Sequence, residues 1–368
     1  MNAILTLTRG NPPIEALPVD WIAQCCETAL AKYGNVLLQY HSAYGFTPLR
    51  EILAAEAGAS LEEVVVGNGS LQFLHFITRA FLAPGDAVIV ERPTYDRAIT
   101  VFRQANLKVI GIALEEDGVD IDALKRVVRE FSPKLFYLIP DFQNPTGITT
   151  TFEKREAIAR IATYYNMIIV EDIPYRKLRY FGSDVPTLRE LVPQNVVQIS
   201  SFSKIIAPGL RVGWLIAPEP LTERLVKIAE DTYITPNMLA QGIVYEFCLR
   251  GFLQQNLQKL RILYAQRLSA MLDALQTYLP QGHWVKPEGG FFVGLWLPEE
   301  ITSMNVILKL AYDKGLVLAQ SAGFFPDDRP ANFLRLPFCA LPESQLSQAI
   351  KCLADIIKQN MLYLKKET

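Results

Sequence analysis

Histidine is scarce in this chain. Of its 368 residues only His41, His75 and His283 are histidines. None stands at metal-ligand spacing, so no catalytic metal is expected. The five cysteines, Cys25, Cys26, Cys248, Cys339 and Cys352, form an odd, irregular set that argues against a disulfide framework. A reducing, cytoplasmic setting is expected instead. The opening "MNAILTLTRGNPP" lacks a basic region followed by a long apolar run, and no stretch approaches the ~18 apolar residues of a membrane span. A net charge of −2 and a pI of about 6.0 offer nothing to nucleic acid or to an acidic membrane. Repeats, low-complexity tracts and long linkers are also missing. Apolar residues are plentiful: 50% of the chain is hydrophobic against 20% charged. At this length that suffices for one or two domains with a large core.

The stretch "SSFSKIIAPGLRVGW" (200–214) places Lys204 just past the short β-branched run "NVVQIS". Such a run reads as an interior strand covered on both faces, and open α/β sheets bind ligands at the carboxyl ends of their strands. A buried ammonium there must be paired, neutralised or chemically used. Ser201, Ser203 and Arg211 are donors without a nearby carboxylate, a set suited to a phosphate. A Schiff-base lysine beside a phosphate cradle suggests pyridoxal phosphate. In isolation, a solvated lysine at a surface strand end explains the same residues.

From about Val64 onward, strand and helix patterns alternate. "EVVVGNG", "DAVIVERP", "KVIGIA", "LFYLIP", "MIIVED", "VVQIS" and "RVGWLIAP" read as strands, with helices between several of them. The alternation predicts an α/β layer sandwich with a mostly parallel central sheet. Residues Phe252 to Tyr278 have helical periodicity without Gly or Pro and predict one long helix. The segment after it predicts a smaller α+β domain, joined by the first residues and their helix "WIAQCCETALAKY". The expected division is a large domain over 40–260 and a small one from 1–39 and 261–368.

Three further strand ends carry chemistry. Asn144 follows "LFYLI" in "PDFQNPTGITT", where an ordinary turn is the simpler reading. Asp172 ends "MIIVED"; its cationic partner is either a pyridinium nitrogen or Arg176, and Tyr175 points a phenol to the same place. Gly69 and Ser70 stand where a strand passes into a helix, either as an anion site or as a plain serine N-cap.

Taken in order, N-P-x-G, D-x-x-Y and S-x-S-K-x-x-x-P-G-x-R-x-G resemble the class I/II aminotransferases of pyridoxal-phosphate fold type I, end to end. "RGNPP" and "LQYHSAYGFTPLREIL" are similar to the 2-aminoadipate aminotransferase group and to the aminotransferase-like half of a bacterial regulator family. The resemblance implies a large three-layer α/β domain plus a smaller α+β domain. It implies pyridoxal phosphate joined to Lys204, the proton shuttle, with Asp172 on the ring nitrogen and Asn144 and Tyr175 on the ring oxygen. Tyr95 would stack on the ring. Gly69, Ser70, Leu71, Ser201, Ser203 and Arg211 would hold the phosphate, together with Tyr40 from a partner subunit. Arg335 would take the substrate carboxylate, beside Asn144 and Gly10. The implied partners are amino acid and 2-oxo acid substrates and a second copy of the chain in a homodimer with shared sites; neither nucleic acid nor membrane is among them.

This chain departs from the family at Leu71, where a Gln is usual, and at "SAGFF", where Ser321 and Ala322 replace a proline-containing turn. The same residues serve C–S lyases and decarboxylases, and a non-catalytic pyridoxal-phosphate-binding regulatory module is the alternative of another class. That module carries an extra N-terminal domain, for which the start at "RGNPP" leaves no room. The stretch 10–31 has no Arg or Lys. It predicts an apolar side-chain pocket lined by Ile14 and Leu17 with Tyr44 and Phe324 nearby, hence an apolar or aromatic amino donor. Arg9 is expected to brace the N-terminal arm, and Arg97 is the other nearby cation.

Overall fold

The computed structural model describes residues 4–367 except 302 and 328, with side chains placed through residue 360. The chain opens with β1 (Leu5–Leu7), α1 (Val19–Leu37), α2 (Thr47–Ala57), β2 (Val64–Gly67), α3 (Ser70–Phe81), β3 (Ala87–Arg92) and α4 (Asp96–Gln104). It continues through β4 (Lys108–Glu115), β5 (Gly118–Val119), α5 (Ile121–Phe131), β6 (Leu135–Leu138), α6 (Phe152–Tyr165), β7 (Ile168–Asp172), α7 (Leu188–Leu191), β8 (Val196–Ser201) and β9 (Gly213–Ile216). It closes with α8 (Glu219–Tyr233), α9 (Met238–Leu249), α10 (Phe252–Tyr278), β10 (Phe292–Trp296), α11 (Met304–Asp313), β11 (Leu316–Leu318), β12 (Phe333–Pro337) and α12 (Glu343–Glu367).

The central sheet has eight strands in the order β2-β9-β8-β7-β6-β3-β4-β5. From β4 across β3, β6 and β7 to β8 every neighbour is parallel. Strand β9 runs antiparallel to both β2 and β8, and β5 antiparallel to β4. The reversal at β9 is invisible to periodicity, which carries no direction. Alternate residues of the interior strands enter two separate cores. Val88, Val90, Leu135, Tyr137, Val170 and Val197 pack on one face, and Ile89, Phe136, Leu138, Ile169 and Val196 on the other. Helices α5, α6 and α7 cover the second face. A sheet buried on both sides is why these strands read as continuous apolar runs. The chain is an α/β protein of three layers.

Helix α10 spans the predicted 27 residues, Phe252–Tyr278. It buries Leu257, Leu260, Tyr264, Leu268, Met271 and Leu275 at helical spacing. The strands outside the large sheet come from the two ends of the chain: β1 pairs in parallel with β11, and β10 antiparallel with β12. Helix α1 lies against α9 and the start of α10, with Trp21 stacked on Phe252 at 5.0 Å between ring centroids and Tyr33 edge-on to Tyr245.

The turn that follows β6 is pinned by charge. Asp141 is fully buried and accepts from the equally buried Arg155 at 2.7 Å and from Arg176 at 3.1 Å. Arg155 also donates to the carbonyls of Pro140, Thr150 and Pro186. Removing one partner of such a pair strands the other charge in low dielectric. Asp141→Ala is therefore expected to destabilise the protein by about 3–5 kcal/mol, read as a lowered urea midpoint; an unchanged midpoint would show that Arg155 is satisfied by carbonyls alone.

Candidate active site

The ends of β2, β3, β6, β7 and β8 and strand β12 from the C-terminal part converge on one cleft of about 520 Å³, a volume typical of small-molecule sites. Asp172, Asn144, Ser201, Ser203, Lys204, Arg211, Ser70, Leu71, Tyr95, Tyr175, Gly10 and Arg335 all line it. Gly69 stands next to them as the N-cap of α3, at φ +100°. A Cβ at Gly69 would lie 2.4 Å from Arg211 Nη2, so glycine is what lets the guanidinium lie across the start of α3. Ser70 therefore opens the helix as its first residue, not as its cap. Tyr40 is 72% exposed and does not line this cleft.

Lys204 lies in the short turn 202–204 that ends β8. Its ammonium donates to the Gly10 carbonyl at 3.0 Å. Burial pulls its pKa below the usual lysine range, helped by the nearby Arg335 and Arg211 charges. Gly10 is held close because a Cβ there would meet the Phe292 ring at 2.3 Å.

Asp172 ends β7, where strand alternation aims it into the cleft. Its Oδ2 accepts from the Tyr137 hydroxyl at 2.8 Å. Its Oδ1 is buried without a hydrogen-bond partner. Burial pushes its pKa up to about 7, against the lowering effects of the Tyr137 hydrogen bond and the Lys204 charge. Arg176, the alternative partner weighed for this carboxylate, is instead spent on Asp141.

Arg335 projects from β12 and lies between the rings of Phe292 and Phe324, at 4.8 and 4.6 Å from their centroids. It donates to Asn144 Oδ1 at 3.0 Å and to the Thr8 carbonyl at 2.8 Å, while its Nε is buried without a partner. At the phosphate-like end, Ser201 Oγ accepts from the Ser203 amide at 3.1 Å. Arg211 Nη1 stands 3.5 Å from Ser203 Oγ.

The side-chain pocket differs from expectation. Ile14 is 87% exposed, and Leu17 lines a separate hollow beside α10. Tyr44 lies under Arg50, at 4.6 Å from guanidinium to ring centroid, away from the cleft. The helical turn Ile14–Ala16 carries those residues outward once the chain has passed Gly10. Of the expected residues Phe324 does line the cleft, together with Ile139, Phe292 and Leu71, and Arg9 and Arg97 lie beside them. Arg9 thus joins the cleft and is not merely a brace.

Sequence reasoning passed over Tyr137 and Glu91. Tyr137 sits in an all-apolar strand and reads as core. Glu91 is buried at the end of β3 and accepts from the Ile139 amide at 3.0 Å and from Gln143 Nε2 at 3.1 Å. Burial holds its pKa up at about 8. A carboxylate inside an apolar strand was the available signal for it.

These donors fit a phosphorylated pyridine ring. The orphaned Oδ1 of Asp172 is an acceptor for a ring N–H, and the start of α3 with two serines and Arg211 is an anion cradle that a Cβ at Gly69 would fill. Lys204, its basicity lowered by burial, lines the same cleft.

Residues 4–353 match the family model described as aminotransferase class I and II. Over 372 aligned positions the chain is 36% identical to aromatic-amino-acid aminotransferase 1 of Thermococcus litoralis, covering 97% of this chain and 89% of that one. The structure superposes with a TM-score of 0.93 on Pyrococcus horikoshii kynurenine aminotransferase, solved with PMP, at 32% identity over 98% of this chain and 92% of that one. It also superposes with a TM-score of 0.93 on alpha-aminoadipate aminotransferase of Thermus thermophilus, complexed with N-(5'-phosphopyridoxyl)-L-leucine, at 31% identity over 98% of this chain and 94% of that one. The chain belongs to the class I and II aminotransferases of pyridoxal-phosphate fold type I, and is a transaminase that uses pyridoxal phosphate.

Proposed function

We propose that the chain moves the amino group of apolar or aromatic amino acids to a 2-oxo acid, with Lys204 as base and Schiff-base lysine. The observation that carries this reading is the single cleft lined by a half-buried lysine, an orphaned carboxylate oxygen and a ring-clamped arginine. Pyridoxal phosphate, when bound, supplies an electron sink for the carbanion left by loss of the α-proton. Asp172 would hold the proton at the ring nitrogen, Asn144 and Tyr175 would meet the ring oxygen, and Tyr95 would pack on the ring face. Ser70, Ser201, Ser203, Arg211 and the amides at Gly69 and Leu71 hold the phosphate. Arg335 orients the substrate carboxylate in a bidentate fork, with its unpartnered Nε available. Lys204 Nζ, its basicity lowered by burial, takes the α-proton and returns it.

The apolar wall of Phe292, Phe324, Ile139 and Leu71 favours aromatic and aliphatic side chains. Arg9 and Arg97 give a second carboxylate somewhere to go, which suits 2-oxoglutarate as acceptor. The name of the Thermococcus relative agrees with aromatic donors. The proposed setting is the cytoplasm. The proposed assembly is a homodimer in which Tyr40 reaches the phosphate of the partner's site. The exposure of Leu38 and Tyr40, 71% and 72%, supports it, as does their nearness to exposed Ile234, since the His41 amide donates to Thr235 Oγ1.

Lys204→Ala is expected to lose the visible absorbance of the linked cofactor and at least ~10²-fold in turnover, with unchanged far-ultraviolet circular dichroism; retained turnover would refute the assignment. Replacing both Arg9 and Arg97 by alanine should raise KM for 2-oxoglutarate roughly tenfold or more, since leaving a carboxylate unpaired costs at least ~1.4 kcal/mol. The same pair should leave kcat/KM for phenylalanine within about threefold of its starting value, a shift under ~0.7 kcal/mol. Equal losses for both substrates would mean that the arginines serve the cleft's shape only. Mixing inactive Lys204→Ala and Tyr40→Phe protomers should restore activity through hybrid dimers, and a mixture as inactive as its parts would count against shared sites.

A further inference from the structure

We propose that Tyr137 is a positioning residue that acts through Asp172, keeping the carboxylate the weaker of the two bases that share the ring-nitrogen proton. The proposal rests on the reading of Asp172 as the partner of that nitrogen. Tyr137 lies on β6, one strand from Asp172 on β7, with Tyr137 in register with Val170. Its side chain is fully buried, and its ring is packed edge-on against Phe102. Its hydroxyl donates to Oδ2 at 2.8 Å.

Two consequences follow from that one bond. First, it fixes the rotation of the carboxylate. With Oδ2 engaged toward β6, Oδ1 is the oxygen left unpartnered. Second, a hydrogen bond to the ionised form of an acid favours ionisation. Burial alone makes Asp172 a stronger base than an ordinary aspartate. A carboxylate that is too basic would take the proton from the ring nitrogen and cancel the ion pair that draws electrons into the ring. The Tyr137 hydroxyl opposes that drift.

The titratable groups that face Asp172 are few. They are Tyr137 from β6, Lys204 from the turn after β8, Glu91 from β3, Tyr95 at the start of α4, and Tyr175 just past β7. Glu91, Tyr95 and Tyr175 would add negative charge when ionised, which raises the Asp172 pKa. Lys204 acts on Asp172 through its charge alone, since its ammonium donates to the Gly10 carbonyl. Among the described residues, Tyr137 is the one hydrogen-bond donor to this carboxylate.

The experiment measures equilibrium affinity of the protein for pyridoxal phosphate between pH 5.5 and 9 by dialysis, with Asp172→Asn marking the part of the pH dependence that belongs to Asp172. Wild type is expected to bind more weakly as pH falls through about 7, where Asp172 takes up its proton. Tyr137→Phe keeps the ring and its packing. It is expected to move that inflection upward by about one pH unit and to weaken binding at pH 7 roughly tenfold, the size of one hydrogen bond to a charged group. Incorporating 3,5-difluorotyrosine at position 137, whose hydroxyl is a stronger donor, should move the inflection down. A Tyr137→Phe protein with the wild-type inflection and affinity, altered only in melting temperature, would overturn the proposal. A wild-type profile that Asp172→Asn does not change would overturn the underlying assignment of Asp172 instead.

Discussion

The buried carboxylate of Asp172 is the constraint to which much of the cleft answers. An aspartate at the end of an interior strand faces a large desolvation cost. Here one oxygen is met by Tyr137 and the other by nothing. Stability alone gives no reason to keep such a group, since burial penalises its charge. Its presence makes sense when a cation completes it. On the proposed reading a protonated ring nitrogen is that cation, and Arg176 leaves the place to it by pairing with Asp141. An arginine on Asp172 would have satisfied the carboxylate permanently and closed the site to its cofactor.

The rest of the cleft is assembled in advance in the same manner. Loop 139–147, which carries Asn144, is held from below by Glu91 through Ile139 and Gln143, and from the side by the Asp141–Arg155 pair. Gln143 Oε1 in turn accepts from the amide and hydroxyl of Thr146. The N-terminal arm lines the cleft and lends backbone carbonyls to two of its cations: Thr8 to Arg335 and Gly10 to Lys204. Both cations thus have an acceptor that a ligand can displace without leaving a bare charge behind. Groups fixed by such supporting bonds contribute more to catalysis than groups that must reorganise.

Much of this was legible in the sequence because strand ends concentrate polar residues that a buried strand could not otherwise hold. Lys204, Asp172 and Asn144 each follow an apolar run, and the structure gathers all three at one sheet edge. Helix α10 was legible to the residue, since nothing in Phe252–Tyr278 breaks a helix. Other features were not. The two-residue β5 is too short for any pattern. The pocket wall was misread because proximity in sequence to Gly10 says nothing of which way the turn at Ile14–Ala16 faces. Tyr137 was hidden because a tyrosine among Leu and Phe reads as packing, and its hydroxyl partner lies on the next strand. Contacts across strands follow register, and register is a property of the folded sheet.

The proposed role of Asp172 is to hold a proton on the cofactor's ring nitrogen. The direct measurement is the 15N chemical shift of ring-labelled pyridoxal phosphate bound to the wild-type protein at pH 7.5. The expected shift is that of a protonated pyridine nitrogen. A shift characteristic of an unprotonated nitrogen at pH 7.5 would contradict it.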